Sequence, residues 1–402
     1  MGQSIRHLAL LPAAQQAFGG EVKTKSRTAR EARVGGLGSR AGEYRCRRHP
    51  GIAEGPKSLH LATLSSGPAY GGSTTMDGMD VATAAASSVQ PGPHAGRFGG
   101  HNANKALLRV ADLTSEDLSR LRRLTVEFRS HPVDHHPAMQ DRVVLCWFSP
   151  PAKWVADSVS AAGERLGGRS VVVDPFELRP KRVGSIENAA RVLSSLGQLI
   201  VVGGLDDGEL SQLAGAASVP VVNGFSHRHN PCEALAEVAT LEAALGSLNG
   251  LRLAYLGQAC NVSHDLMAAA GLTGVQLTVA TPDRSKPDRV LATQAREIAE
   301  STGGILRLMR EPGPAVRDAD GIVLGPLPRA WRHVAGDLLS SVNPAVIVLS
   351  CSPSAAAEGW PVDPQRLSRP QQEESRPCAY EAVFYALTER LISESTLPRP
   401  NG

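Results

Sequence analysis

Short apolar runs alternate with longer helical patterns along the chain from about residue 106 onward. In the first half these runs are RVVLCWF, SVVVD, QLIVVGG and VPVVNG. An apolar run that does not alternate with polar residues is typical of a strand buried on both faces. Because strands that alternate with helices form parallel sheets covered on both sides, the sequence predicts an α/β fold.

The same alternation restarts after Gly250, with RLAYLGQ, QLTVATP, ILRLMR, GIVLG and AVIVLSC as the strands. The repetition predicts two doubly wound, mostly parallel-sheet domains over residues 103–245 and 246–375, joined by interdomain helices. An amphipathic segment within residues 376–396 predicts a C-terminal helix that packs back on the first domain and completes it.

Residues 1–102 show no sustained helical or strand period and are rich in Gly, Arg, Ser and Pro. The first 100 residues hold 12 Lys and Arg against 6 Asp and Glu, so the basic surplus behind the net charge of +3 lies there. Such a composition buries too little apolar surface to offset chain entropy, and we expect a disordered tail. Its Arg-rich, acid-poor front also fits a transit peptide, but an unstructured leader or an overextended start is the favoured interpretation.

Composition excludes several classes of protein. No run of about 18 uncharged apolar residues is present, so no membrane-spanning helix is predicted. Because the basic surplus lies in the tail, no nucleic-acid partner is predicted either. The six cysteines are scattered without a CxxC pair, which indicates a reducing, cytoplasmic compartment. The residues alone predict a two-domain α/β binder of a small anionic ligand and assign no reaction.

Two loops at predicted strand ends carry the cations that an anion needs. Lys153 follows RVVLCWF near a helix start, and His227, Arg228 and His229 precede the helix NPCEALAEVATLEAALGSL. Helix N-termini bind anions through their free N–H groups. A solvated lysine is the favoured interpretation of Lys153. Read as a metal site, the two histidines lack a third ligand, so an ordinary loop is favoured for them.

Two further loops stand at strand ends in the second half. Gly257 ends one strand and is followed by a polar turn, which resembles half of a dinucleotide-binding fingerprint. The full GxGxxG pattern is absent there. Cys351 ends a strand that should reach the boundary between the domains. A cysteine at such a place most often fills space as a small apolar side chain.

The stretch from Val219 to Pro282 resembles the ornithine/aspartate carbamoyltransferase family, and more closely its ornithine branch. It follows the family pattern VPVINGLSDxxHPTQxLAD, and then YxGDxNNVAHS, in matched order. The resemblance extends over about residues 106–392. It implies a first domain that binds carbamoyl phosphate, a second that binds ornithine, and a homotrimer.

The activity implied by this resemblance is transfer of a carbamoyl group from carbamoyl phosphate to L-ornithine, giving L-citrulline and phosphate in arginine biosynthesis. It depends on holding both substrates in line and neutralising charge, without metal or cofactor. The matched motifs assign Cys351 to catalysis and Asn261 to substrate binding. Lys153, Arg228 and His229 are then the candidate cations for the phosphate.

Several positions depart from the family pattern. The phosphate loop Ser-Thr-Arg-Thr falls on residues 152–155, where Lys153 is the one cation. The arginine after the next strand falls on Gly203 or Gly204, and the late arginine has no counterpart in CAYEAVFYALTERL. The Gln of HPTQ falls on Glu233, whose charge is expected to repel phosphate.

Three functions stay open at this point. The first is a divergent carbamoyltransferase that uses Lys153 and the basic residues 227–229 for the phosphate. The second is a non-catalytic relative that senses a ligand or supports a partner subunit, and the number of lost anchors favours it. The third is a tailoring enzyme with another acceptor.

Overall fold

Two α/β domains make up the computed structural model, as the sequence predicts. The structure describes residues 61–63, 106–132, 138–149, 152–178, 180–351, 359–363 and 367–395. Each domain has one sheet, and within these residues the two sheets contain six and five strands. The boundaries of the domains at residues 103, 245 and 375 stay a prediction.

The first sheet has the order β1-β4-β3-β5-β6-β2, and all its neighbours are parallel except β1 and β4. Its strands are β1 Leu61–Thr63, β2 Ala106–Leu107, β3 Val143–Phe148, β4 Arg169–Val173, β5 Leu199–Gly203 and β6 Val221–Phe225. Every residue of β5 is buried, because helices cover both faces of this central strand.

The second sheet has the order β11-β10-β7-β8-β9 and is parallel throughout. Its strands are β7 Arg252–Leu256, β8 Gln276–Ala280, β9 Ile305–Met309, β10 Gly321–Leu324 and β11 Ile347–Ser350. Both sheets place the carboxyl ends of their strands beside loops that lead into helices, which is where parallel-sheet proteins hold ligands.

Helices follow most of the strands, and several of them begin at residues that satisfy the capping rules. Thr114 caps the first helix in a capping box with Asp117, and Asp288 caps the eighth. The helices are α1 Ser115–Ser130, α2 Lys153–Arg165, α3 Pro180–Val183, α4 Ile186–Leu196, α5 Asp207–Ala216, α6 Pro231–Leu245, α7 Asn261–Thr273, α8 Arg289–Thr302, α9 Pro312–Val316, α10 Ala335–Ser341 and α11 Arg369–Ser395.

Helix α11 packs against α1, α2 and α6 of the first domain, as the sequence predicts. Its start at Arg369 corrects the predicted start at residue 376. Pro377 lies inside the helix, where it supplies no backbone N–H but does not end the helix. None of the helices in the described part of the chain is long and apolar enough to cross a membrane.

The expectation of a wholly disordered tail is wrong at one place. Leu61–Thr63 forms β1, which pairs antiparallel with Val171–Val173 at the open edge of the first sheet. Three residues are too few to show a period in the sequence, so only the pairing reveals the strand. The rest of the predicted tail, residues 1–60 and 64–102, lies outside the described residues.

Candidate functional site

The loop between β6 and α6 meets the first turn of α7 at the junction of the two domains. Asn261, the first residue of α7, donates from Nδ2 to the Ser226 carbonyl at 3.0 Å. Its Oδ1 accepts from the Val262 N–H at 2.9 Å. The amide that the sequence assigns to substrate therefore also holds the loop of residues 226–229 against the second domain.

Arg228 is partly exposed and lies between two carboxylates. Its Nη2 is 2.8 Å from Asp288 at the start of α8, and its Nε is 3.6 Å from Asp207 at the start of α5. The two acidic residues belong to different domains. The guanidinium predicted to bind an anion thus already bridges two carboxylates in this structure.

His229 is buried and also has an acidic partner. Its Nδ1 is 3.3 Å from Asp265 Oδ1 on α7. Asp265 is 1% exposed and accepts backbone N–H groups from Val110 at 2.9 Å and Asn230 at 2.6 Å. Asp265 is not among the site residues predicted from the sequence, although a lone carboxylate within the stretch VSHDLMAAA is a signal of such a buried role.

His264 has its proton position fixed by its neighbours. Its Nε2 accepts from the Asp288 N–H at 3.1 Å, so Nδ1 carries the hydrogen and donates to the Arg228 carbonyl at 3.0 Å. Burial lowers the pKa of His264 below its usual range. This neutral imidazole positions the backbone of Arg228.

Lys153 opens α2 with its side chain 85% exposed, and its Nζ is 2.8 Å from both oxygens of Asp157. This is an ordinary pair one helical turn apart. Its neighbour Trp154 instead faces the C-terminal helix, with the Arg376 guanidinium 5.8 Å from the ring centroid. Lys153 therefore points to solvent, whereas Trp154 lies against α11.

Glu233 is neither exposed nor unpaired, which corrects the expectation that it stands as an open negative charge. Arg376 of α11 donates from Nε to its two oxygens at 2.8 and 2.9 Å, and both residues are buried. The C-terminal helix thus supplies an arginine, two residues before the segment CAYEAVFYALTERL. Burial raises the pKa of Glu233, and Arg376 opposes that shift.

A cluster of two thiols, a phenol and a carboxyl lies beside this ion pair. Cys260 precedes α7, and its Sγ is 3.4 Å from the Tyr255 hydroxyl, which donates to the Gln258 carbonyl at 2.6 Å. Cys351 follows β11, and its thiol is the largest influence on the pKa of Cys260. We call Tyr255, Cys260, Cys351 and the buried Glu237 of α6 the thiol cluster.

The pKa values of the two cysteines in the thiol cluster are shifted in opposite directions. The hydrogen bond from Cys351 lowers the pKa of Cys260 to about 6, helped by Tyr255 and the N–H groups of Val262 and Ser263. The same contact raises the pKa of Cys351, and burial raises that of Glu237. These shifts favour ionisation of Cys260 before Cys351.

The structure brings four of the five sequence-predicted site residues to the loops at the domain junction. Asn261, Arg228 and His229 meet around the start of α7, and Cys351 lies in the thiol cluster. Lys153 remains an exposed partner of Asp157. Among the described residues no three His, Cys, Asp or Glu side chains are arranged to hold a metal ion.

Two doubly wound domains with polar loops meeting at strand ends define a class of α/β protein whose ligands bind at that junction. Sequence models of the aspartate/ornithine carbamoyltransferase carbamoyl-phosphate-binding domain and Asp/Orn-binding domain match residues 105–243 and 249–325. The chain therefore belongs to the aspartate/ornithine carbamoyltransferase family, as its motifs indicate.

Individual relatives agree with this assignment. The ornithine carbamoyltransferase of Mycolicibacterium paratuberculosis is 32% identical over 266 residues, which cover 62% of this chain and 86% of the relative. That of Acidothermus cellulolyticus is 34% identical over 55% of this chain and 76% of the relative. The structure of ornithine carbamoyltransferase from Pyrococcus furiosus matches with a TM-score of 0.64 at 27% identity, over 70% of this chain and 96% of that chain.

Proposed function

We propose that this protein binds a small amino-acid ligand at its domain junction and does not transfer a carbamoyl group from carbamoyl phosphate to ornithine. It would act as a ligand-sensing or partner subunit. The observation that carries the proposal is the buried Glu233–Arg376 ion pair. Glu233 stands at a matched family motif, so the cation beside it is neutralised by the chain itself.

The other candidate cations support the same proposal. Arg228 is held by Asp207 and Asp288, His229 by Asp265, and Lys153 by Asp157. A phosphate would have to displace a carboxylate at each of these places. Since losing a single oxyanion donor typically costs ~10²–10³ in rate, the combined loss is incompatible with ordinary turnover.

The family reaction is the second candidate, and the retained Asn261 and Cys351 favour it. In that case carbamoyl phosphate and L-ornithine would give L-citrulline and phosphate, within arginine biosynthesis. For either of these two functions, we propose that the protein is a homotrimer and lies in the cytoplasm. A tailoring reaction with another amine acceptor would use the same junction.

The deciding experiment combines turnover with binding. The intact protein is incubated with carbamoyl phosphate and L-ornithine, or with a panel of other amines, and phosphate is measured together with citrulline or the corresponding carbamoylated amine. We expect neither product above the blank and weak calorimetric heat from carbamoyl phosphate. Turnover near the usual enzyme range of ~1–10³ per second would overturn the proposal.

Calorimetric titration of carbamoyl phosphate into variants tests whether the paired charges are the reason for weak binding. The double change Ala152→Ser with Glu233→Gln restores a hydroxyl and frees Arg376 from its counter-charge, so carbamoyl-phosphate binding should strengthen. The matched control Glu300→Gln, on the exposed face of α8, should leave it unchanged. Tight wild-type binding that weakens sharply with Arg228→Ala and with rising salt would place the phosphate on residues 227–229 instead.

A further inference from the structure

We propose that His264 is an acid-sensitive brace at the domain junction, whose neutral imidazole holds Asp288 where that residue binds Arg228 of the other domain. His264 lies near the start of α7 and is partly exposed, so protons reach it from solvent. Asp288 caps α8, and Arg228 belongs to the loop between β6 and α6. The three residues therefore come from three elements and from both domains.

The two ring nitrogens of His264 have opposite roles. Nε2 faces the Asp288 N–H at 3.1 Å and must accept, whereas Nδ1 faces the Arg228 carbonyl at 3.0 Å and must donate. A neutral imidazole with its hydrogen on Nδ1 satisfies both partners. One ring thus joins the backbone of the loop in the first domain to the backbone at the start of α8.

Asp288 is held by its backbone and uses both of its carboxylate oxygens. Its Oδ1 accepts from the N–H groups of Val290 at 2.9 Å and Leu291 at 3.2 Å, which starts α8. Its Oδ2 lies 2.8 Å from Nη2 of Arg228. The brace therefore fixes the backbone from which this carboxylate reaches across the junction. A change at Nε2 of His264 is transmitted to the ion pair between the domains.

Protonation of the ring reverses the role of Nε2. This atom becomes a donor and faces the N–H of Asp288, which is a donor too. The hydrogen bond between them is lost, while Nδ1 continues to donate to the Arg228 carbonyl. Because the Asp288 N–H is left without its acceptor, the start of α8 moves away from α7. The ion pair between Asp288 and Arg228 loosens with it.

The groups around the ring set the pH at which this happens. Burial lowers the pKa of His264, and His229 in the facing loop acts in the same direction. The Arg228 carbonyl and the carboxylates of Asp265 and Asp288 oppose that shift without cancelling it. The ring is therefore neutral at pH 7 and takes its proton below the ordinary value of 6.5.

The sign of the effect on stability follows from this shift. As pH falls, the unfolded chain takes up the proton of this histidine before the folded protein does. The stabilisation from His264 is therefore complete above about pH 6.5 and is lost as pH falls through the lower pKa of the folded protein. Acid thus favours the opened brace.

Amide hydrogen exchange on the intact protein, read by mass spectrometry from pH 8 to pH 4.5, tests the brace. After correction for the intrinsic pH dependence of exchange, peptides covering Asp288, Val290 and Leu291 should lose protection in acid by at least ~10-fold. The N–H of Gly304, which bonds to the Ala299 carbonyl at the far end of α8, should keep its protection. No ligand is added, so this result does not depend on the proposed function.

His264→Gln is the decisive variant, because its amide offers a donor and an acceptor but does not titrate. The start of α8 should then show no acid-dependent loss of protection. His333→Gln changes an exposed histidine of the second domain and is the matched control, which should behave as wild type. The same acid-dependent loss in His264→Gln as in wild type, or no loss in wild type, would overturn the proposal.

A second measurement uses the wild-type protein alone. Deuterium exchange at the C2 position of a histidine ring follows its protonation, and mass spectrometry of peptides assigns it to single residues. We expect the midpoint for His264 to lie below 6.5 and to coincide with the pH at which Asp288 loses protection. A midpoint at or above 6.5, or a loss of protection at a different pH, would also overturn the proposal.

Discussion

Arg376 donates from its Nε to both carboxylate oxygens of Glu233, at 2.8 and 2.9 Å, across 143 residues of sequence. The contact joins α11 to the first turn of α6, and both side chains are buried. A buried charge is tolerated when an opposite charge is hydrogen-bonded to it, as Arg376 is to Glu233. The pair thus ties the end of the chain to the centre of the first domain.

Removing one partner should therefore destabilise the fold. We expect Arg376→Met to lower the free energy of unfolding by about 3–5 kcal/mol, because Glu233 is left buried without its counter-charge. Urea unfolding measures the change. Arg296→Met, on the exposed face of α8, is the control and should stay within about 0.5 kcal/mol of wild type. The pair Arg376→Met with Glu233→Leu should recover most of the loss, and a single variant no less stable than the control would contradict the prediction.

Substitution of Asp265 should also lower the stability of the fold. Asp265→Ala leaves the N–H groups of Val110 and Asn230 without their acceptor in a buried place. Each orphaned group costs about 1–3 kcal/mol, so we expect a loss of about 2–6 kcal/mol in thermal or urea unfolding. Asp265→Asn, which keeps one oxygen acceptor, should lose less. The exposed Asp318→Ala is the control, and equal curves for it and Asp265→Ala would refute this role.

The fold could be predicted from the sequence because its signals are local. The β5 run LIVVG is apolar throughout since the strand is buried on both faces. Thr114 and Asp117 show the start of α1 within four residues. The short strand Leu61–Thr63 could not be predicted, because it depends on the free edge of β4, more than a hundred residues away.

The candidate site was less predictable because its charges are set by distant partners. The sequence identified Arg228 as a cation but not the Asp288 that binds it 60 residues later. It identified Glu233 as a repelling charge but did not place Arg376 beside it. Nor does any local pattern join Cys260 to Cys351. Spacing shows which groups are present, whereas their protonation and availability follow from packing.

The oligomeric state is testable on the intact chain. The resemblance implies a trimer, so light scattering should give about three times the protomer mass. Dilution over two decades of concentration checks that the mass reports a stable assembly rather than aggregation. A mass equal to that of one chain throughout the series would rule the trimer out.

Gly325 should not tolerate a side chain. A Cβ atom there would lie 1.9 Å from the Tyr255 hydroxyl and 2.5 Å from its ring carbon, and Tyr255 is buried. We expect Gly325→Ala to cost about 1–3 kcal/mol in urea unfolding and to move the phenol away from Cys260. Adding Tyr255→Phe should relieve part of the cost. Gly215→Ala in α5, where nothing lies within 4 Å, should be neutral or slightly stabilising.

Glu381 should make stability fall with rising pH. Burial raises the pKa of this carboxyl from its ordinary 4.5 to about 7, while Arg165, 3.6 Å away, partly opposes the shift. Between these two values the native protein keeps a proton that the unfolded chain has released. The stabilisation from this group is therefore complete below about pH 4.5 and is lost as pH rises through about 7.

The variant Glu381→Gln isolates this effect, because its amide is uncharged at every pH. From pH 5 to pH 8 the wild type should lose about 2 kcal/mol of unfolding free energy relative to the variant. Urea midpoints measured at half-unit steps of pH would show the two curves separating over that window. Glu300→Gln, which changes an exposed carboxyl of α8, should run parallel to the wild type. Parallel curves for Glu381→Gln as well would mean that this carboxyl is ionised in the folded protein at pH 5, and that Arg165 outweighs its burial.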